Sequence, residues 1–313
     1  MVHVPPVACA ARLRCRAGVH IGAARLDRPK SEGVTRVLQG FTVTLVGVLV
    51  LAVAFDYVNG FHDTANAIAT SVATRALRPK TAIIMAASFN FIGAFAGTAV
   101  AKTIGSGLVD DKSTSQAVVA AALLGAIAWN VLTWRLGLPS SSSHALIGGL
   151  LGATIVATGT GALNVGGIGG KVLLPLVSSP VIGFIGAFVL AIVLYRVFWR
   201  AERRAASHNF RRIQVLSAGY MAFAHGSNDA QKTMGIITLA LFSAKVIPSV
   251  EVPVWVIVTS ASALSLGTAV GGWRIMKTMG QRVADLEPVH GFAAEMTAAT
   301  VLVGTAALGM PVS

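Results

Sequence analysis

The 313-residue chain is 54% hydrophobic and only 12% charged, with a mean hydropathy of +0.72, whereas a soluble domain carries about a quarter charged residues. This composition excludes an ordinary soluble enzyme or binding module and puts the chain in a bilayer. The net charge of +13 does not indicate nucleic acid as a partner, because the basic residues sit in short segments between apolar runs and not along one polar face.

Residues 1–40 hold seven Lys/Arg and neither a long apolar run nor a clean signal-peptide pattern. They read as a disordered tail or as an over-extended, non-native start. Cys9 and Cys15 lie there, with a spacing that fits neither a zinc site nor a disulfide framework. Apolar stretches follow at 41–72, 81–101, 115–134, 144–158, 172–195, 213–242, 253–273 and 289–308. About 20 residues at 1.5 Å each span the hydrocarbon, so these stretches predict eight crossings of an all-α polytopic membrane protein.

The first stretch carries Phe55-Asp56-Tyr57-Val58-Asn59-Gly60-Phe61-His62-Asp63-Thr64-Ala65-Asn66-Ala67. An acidic side chain at bilayer depth costs about 2.5–3.5 kcal/mol on insertion scales, so it is rarely idle. Asp63 and Asn66 stand three apart, on one helix face, and offer carboxylate and amide oxygens suited to a sodium ion or a proton carrier. Gly60 would let the helix unwind and release carbonyls to an ion.

Further along, Leu138-Pro139-Ser140-Ser141-Ser142-Ser143-His144 precedes an apolar run. Proline and serines there predict a helix N-terminus, whose free N–H groups, hydroxyls and dipole favour an anion. An ordinary serine cap is the plain alternative. The stretch 213–242 contains His225-Gly226-Ser227-Asn228-Asp229-Ala230-Gln231-Lys232-Thr233, in which Asp229, Asn228 and Gln231 repeat the oxygen donors of the first motif. Lys232 would meet an anion or neutralise Asp229. His62, His144 and His225 lack the spacing of zinc ligands and read as structural residues, with a proton relay as the alternative. No metal site is expected.

The two halves repeat. Asp63 answers to Asp229, Gly97-Thr98-Ala99-Val100 recurs as Gly267-Thr268-Ala269-Val270, and Leu136-Gly137-Leu138-Pro139 returns as Leu308-Gly309-Met310-Pro311. If the first crossing starts outside, the loops 75–80, Arg135, 196–212 and 274–282 are cytoplasmic with 13 Lys/Arg, against 4 in 102–112, 159–171 and 243–252, as the positive-inside rule prefers. Five crossings in the first half then turn the second half over, giving an inverted-topology repeat. The expected organisation is tail 1–40, first repeat 41–195, basic cytoplasmic loop 196–212 and second repeat 213–313.

The stretch Asn59 to Thr70 resembles the first duplicated motif of the inorganic phosphate transporter (PiT) family, in the form of bacterial low-affinity phosphate transporters. His225 to Gly235 is similar to the second motif, and Leu138 to Ala145 resembles the family's re-entrant hairpin. The resemblance covers about residues 43–313. It implies a secondary transporter with broken helices and a re-entrant hairpin that imports phosphate, often as a metal-phosphate complex, by symport with H+ or Na+, with the proton favoured. No other cofactor is expected. Asp63, Asn66, Asn228, Asp229, Gln231 and Lys232 would bind ion and phosphate, with Ser140, Ser141, Ser142 and Ser143 as hairpin donors.

The implied location is the cell membrane, with the lipid bilayer and phosphate as partners and a homo-oligomer left open. The family continues past Pro-Val-Ser into a second hairpin, whereas this sequence ends at Ser313, which leaves room for a fragment or an inactive truncated transporter. A sulfate permease of the same fold is the nearest alternative. A serine hydrolase has no Gly-x-Ser-x-Gly elbow to support it, and a passive channel fits paired carboxylates less well than a coupled site does.

Overall fold

A computed structural model describes residues 42–109, 114–270 and 286–312, apart from the side chains of residues 64–66 and 203. The tail 1–40 and the predicted cytoplasmic loop 274–282 lie outside the described residues. The rest is helical: α1 (Val43–Ala73), α2 (Pro79–Gly93), a short α3 (Ala99–Lys102) running into a wide turn at Thr103–Gly107, α4 (Gln116–Leu136) and α5 (Ser142–Thr158). Then come α6 (Val165–Val197), α7 (Arg203–Ser243), α8 (Val254–Val270) and α9 (Pro288–Ala307). The described residues contain no β-strand beyond one bridge between Val109 and Leu163.

Local chemistry sets the helix ends. Thr42, Ser115 and Ser141 accept hydrogen bonds from the N–H groups of Leu45, Val118 and His144, capping α1, α4 and α5. Gly137 closes α4 at φ 69°, and Gly309 follows α9 at φ 67°, both in the left-handed region that suits glycine. The repeated Leu-Gly-x-Pro segments therefore make the same turn.

Among the described residues, three helices, α1, α4 and α6, are long and apolar enough to cross a membrane, and α5 and α8 are shorter apolar helices. The predicted crossing at 81–101 is two pieces, because the chain leaves the helix between Gly93 and Ala99. The predicted crossing at 213–242 is the apolar part of a 41-residue helix that begins at Arg203, so much of the expected loop 196–212 is helical. Along α6 the apolar side chains Val177, Phe184 and Phe188 face outward; such a continuous apolar exterior belongs against lipid. Inside, Leu45, Phe55, Leu123, Leu146 and Met234 bury fully and join α1, α4, α5 and α7 in one core.

One expectation is reversed. α1 runs unbroken through Gly60, and α7 runs unbroken through Gly226, so neither glycine unwinds its helix. They serve close packing instead. A methyl on Gly60 would stand 2.1 Å from the Leu264 carbonyl of α8, and one on Gly226 would stand 2.3 Å from the Asn90 carbonyl of α2. Gly267 and Gly93 complete the two crossings, with Cβ positions 2.1 Å from the Tyr57 carbonyl and 2.2 Å from the Phe223 carbonyl. The motif helix of each half thus crosses a helix of the other half at backbone contact.

Candidate functional site

The two motif helices bring their acids together. One ligand atom each of Asp63, His225 and Asp229 lies within 4.8 Å of the others, all buried. This set could hold one cation. Asp63 stands 162 residues before His225 and 166 before Asp229, which is why the spacing of the histidines alone carries no metal-ligand reading.

Asp63, in α1, accepts from the Ser142 hydroxyl at 2.5 Å and touches His62 Nδ1 at 3.1 Å. The other His62 nitrogen meets Thr133 Oγ1 of α4 at 3.0 Å. The N-terminus of α5 therefore comes to rest against the middle of α1. Asp229 pairs with Lys232, lies 3.4 Å from His225 Nε2 and accepts from Asn59 Nδ2 at 3.4 Å.

Lys232 is fully buried. Its ammonium, with three protons to give, donates to Asp229, to the Ser143 hydroxyl and, at 3.0 Å, to the carbonyl of Val312. Of the two roles that the sequence allowed, neutralising Asp229 is the one this geometry displays. All three donors are occupied, so an anion would have to displace a partner to bind it.

The remaining expected residues divide. Asn228 is buried with both amide atoms unpartnered and is free to bind. Gln231 instead bridges backbone, accepting from Val100 N at 2.9 Å and donating to the Ser227 carbonyl, and so anchors the start of α3. Of the four serines, Ser142 and Ser143 enter the cluster, Ser141 caps α5, and Ser140 accepts from Trp129 Nε1 at 2.9 Å near the surface. His144 is exposed. The side chain of Asn66 lies outside the described residues.

Sequence reasoning passed over two further buried acids. Glu295, inside α9, accepts from Thr70 Oγ1 at 2.6 Å, Ser71 Oγ at 2.5 Å, Ser217 Oγ at 2.5 Å and Gln214 Nε2 at 3.1 Å. Asp56, two turns before Asp63, has no hydrogen-bond partner on either oxygen. The rule that singled out Asp63, an acid within an apolar run, applies equally to both.

Apolar helices sealed around carboxylate, amide and ammonium groups drawn from both halves of the chain define a membrane transporter. The model of the Phosphate transporter family matches residues 59–313, and the chain belongs to that family. Among its relatives, a probable low-affinity inorganic phosphate transporter of Bacillus subtilis (strain 168) is 46% identical over 269 residues, covering 85% of this chain and 80% of that one. The protein of the same description from Rhizobium meliloti (strain 1021) is 47% identical over 271 residues, covering 86% and 81%. The solved structure described as the sodium-dependent phosphate transporter shares the fold, with a TM-score of 0.77 at 24% identity over 87% of this chain and 86% of that one. These relatives are transporters and not enzymes.

Proposed function

We propose that this protein carries inorganic phosphate across the cell membrane by symport with a cation. The observation that carries the reading is the charge of the cluster. Asp63 and Asp229 meet in a sealed site where, among the described residues, Lys232 is the one ammonium beside them. An unpaired charge is costly where water is excluded, so an anion of one or two negative charges can enter only with positive charge beside it. A coupling cation supplies that charge, and so does a metal ion that travels as a neutral metal-phosphate complex. A proton is the driving ion we favour, because His62 and His225 each touch one of the two carboxylates and an imidazole nitrogen can take a proton from a carboxyl oxygen or hand one to it.

The binding assignment follows the same geometry. Asp63 and Asp229 hold the cation. Asn228, with its free amide, and Ser142 and Ser143 at the α5 N-terminus face the phosphate. Asn66 joins them by its place in the first motif, one helical turn from Asp63. Lys232 turns from Asp229 toward the anion when phosphate arrives, while Ser140, Ser141 and Gln231 hold helices in place.

We read residues 41–195 and 213–313 as inverted repeats joined by the basic segment 196–212, with a re-entrant hairpin at Leu138–Ala145, where α5 begins. The matching left-handed turns at Gly137 and Gly309 and the reciprocal glycine crossings support the first reading. The meeting of the α5 N-terminus with mid-α1 supports the second.

The test is uptake of radiolabelled phosphate into proteoliposomes under an imposed pH or sodium gradient, with sulfate as competitor. Phosphate accumulation driven by the pH gradient and unaffected by excess sulfate is expected. Accumulation driven by sodium alone would replace the proton, and inhibition by equimolar sulfate would replace phosphate as the preferred cargo.

A further inference from the structure

Asp56 lies on α1, seven residues before Asp63, and is fully buried. Neither of its carboxylate oxygens has a hydrogen-bond partner. The hydroxyls of Thr233 on α7 and Ser260 on α8 face it without closing a bond of normal geometry, and both are themselves unpartnered and fully buried. The charged groups that face it are Asp229 and Lys232, both on α7, and these two are paired with each other. One turn along α1, Asn59 Oδ1 is also unpartnered.

Buried polar atoms are nearly always satisfied, and each orphan costs about 1–3 kcal/mol. Here the orphans at Asp56 are all oxygens: two from a carboxylate and two from hydroxyls, supplied by three helices. Each of these four oxygens can accept, the hydroxyls through lone pairs that stay free when their protons turn away, and such a set is complementary to a hard cation or to a proton. An anion has no donor to meet there except the hydroxyls, and the carboxylate repels it.

We propose that Asp56, with the hydroxyls of Thr233 and Ser260, is a second cation seat, separate from the Asp63–Asp229 cluster, which takes up one positive charge in each transport cycle. The charge arrives as an alkali ion coordinated by the four oxygens or as a proton on the carboxyl. Asp56 feels Asp229 directly, so filling this seat removes a repulsion from the main cluster and makes the next cation there easier to bind. The seat rests on the reading of the protein as a cation symporter and adds one to the number of cations that symport moves.

The experiment is the slope of the logarithm of the phosphate ratio against the logarithm of the imposed cation ratio at steady state in proteoliposomes, for wild type and Asp56→Asn. A wild-type slope of zero defeats the symport reading itself. A wild-type slope that falls by one in Asp56→Asn, with phosphate-for-phosphate exchange retained, is the expected result, and equal slopes in the two proteins would overturn the second seat.

A neutral amide can also cost the fold, so wild-type protein supplies an independent reading: modification of Asp56 by a hydrophobic carbodiimide, followed by peptide mass spectrometry. Blocking of the adduct by sodium at constant pH assigns an alkali ion. An adduct that changes with pH and ignores sodium assigns a proton. An adduct indifferent to both, or an Asp56 left unmodified throughout, would overturn the proposal.

Discussion

Glu295 and Asp56 are both carboxylates sealed inside apolar helices, and they differ in everything that surrounds them. Four donors close on Glu295, from Thr70 and Ser71 of α1 and from Gln214 and Ser217 of α7, so its lone pairs are taken and it ties three helices together. Asp56 has two hydroxyls nearby and bonds to neither. Burial alone therefore does not mark a functional acid. What separates a structural carboxylate from a binding one is whether the fold supplies its donors or leaves them to a ligand. Asp63 and Asp229 fall between these cases: Asp63 meets a histidine and a hydroxyl, and Asp229 meets a histidine, an ammonium group and the Asn59 amide.

Substitutions sharpen that contrast. The largest effect is expected at the partly satisfied pair: Asp63→Asn or Asp229→Asn should each reduce gradient-driven phosphate uptake to the background of empty liposomes, while the protein still inserts and purifies. Full uptake by either variant would remove that residue from the mechanism.

Glu295→Gln should behave differently. It replaces a charged acceptor of several hydrogen bonds by an amide, which should cost about 1–3 kcal/mol and lower the thermal unfolding midpoint in detergent. The cation dependence of uptake by the surviving protein should not change, and a shifted dependence would make Glu295 a binding acid after all.

Glycine substitutions test the scaffold that holds the acids together. Gly226→Ala forces a methyl within 2.3 Å of the Asn90 carbonyl and should destabilise by about 1–3 kcal/mol. Gly148→Ala, which meets nothing within 4 Å, should stabilise α5 by up to about 1 kcal/mol. The same melting measurement checks both signs. The smallest effect belongs to Ser140→Ala, which should leave uptake unchanged and stability within about 0.5 kcal/mol, while Ser142→Ala should lower uptake because it uncovers Asp63.

Much of this contrast was legible in the sequence, and its limits are physical. An aspartate in an apolar run announces itself, and the repeat paired Asp63 with Asp229 before any geometry was known. The Leu-Gly-x-Pro repeat proved to be a shared left-handed turn, since a positive φ leaves glycine as a local signature. The Gly-Thr-Ala-Val repeat did not keep one structure: Gly97–Val100 ends a turn and opens α3, whereas Gly267–Val270 lies within α8, because tertiary contacts decide short apolar segments.

Gly60 was read as a point of unwinding because glycine's freedom is visible in sequence and the helix that packs against it is not. The serine run showed a helix start but not which hydroxyls enter the site, which depends on the rotation of α5 against α1. Asp56 and Glu295 both stand in apolar runs of the sequence, and only the placement of Ser71, Ser217 and Thr233 on neighbouring helices separates them.

The central claim is that two carboxylates facing one ammonium oblige phosphate to cross with cations. The direct measurement is the steady phosphate ratio held by wild-type proteoliposomes under a fixed inward cation gradient, before and after an ionophore dissipates that gradient. The account predicts phosphate concentrated inside above its external level, falling to equality when the ionophore is added. A phosphate ratio of one under the gradient, reached at the same rate with or without it, would contradict it.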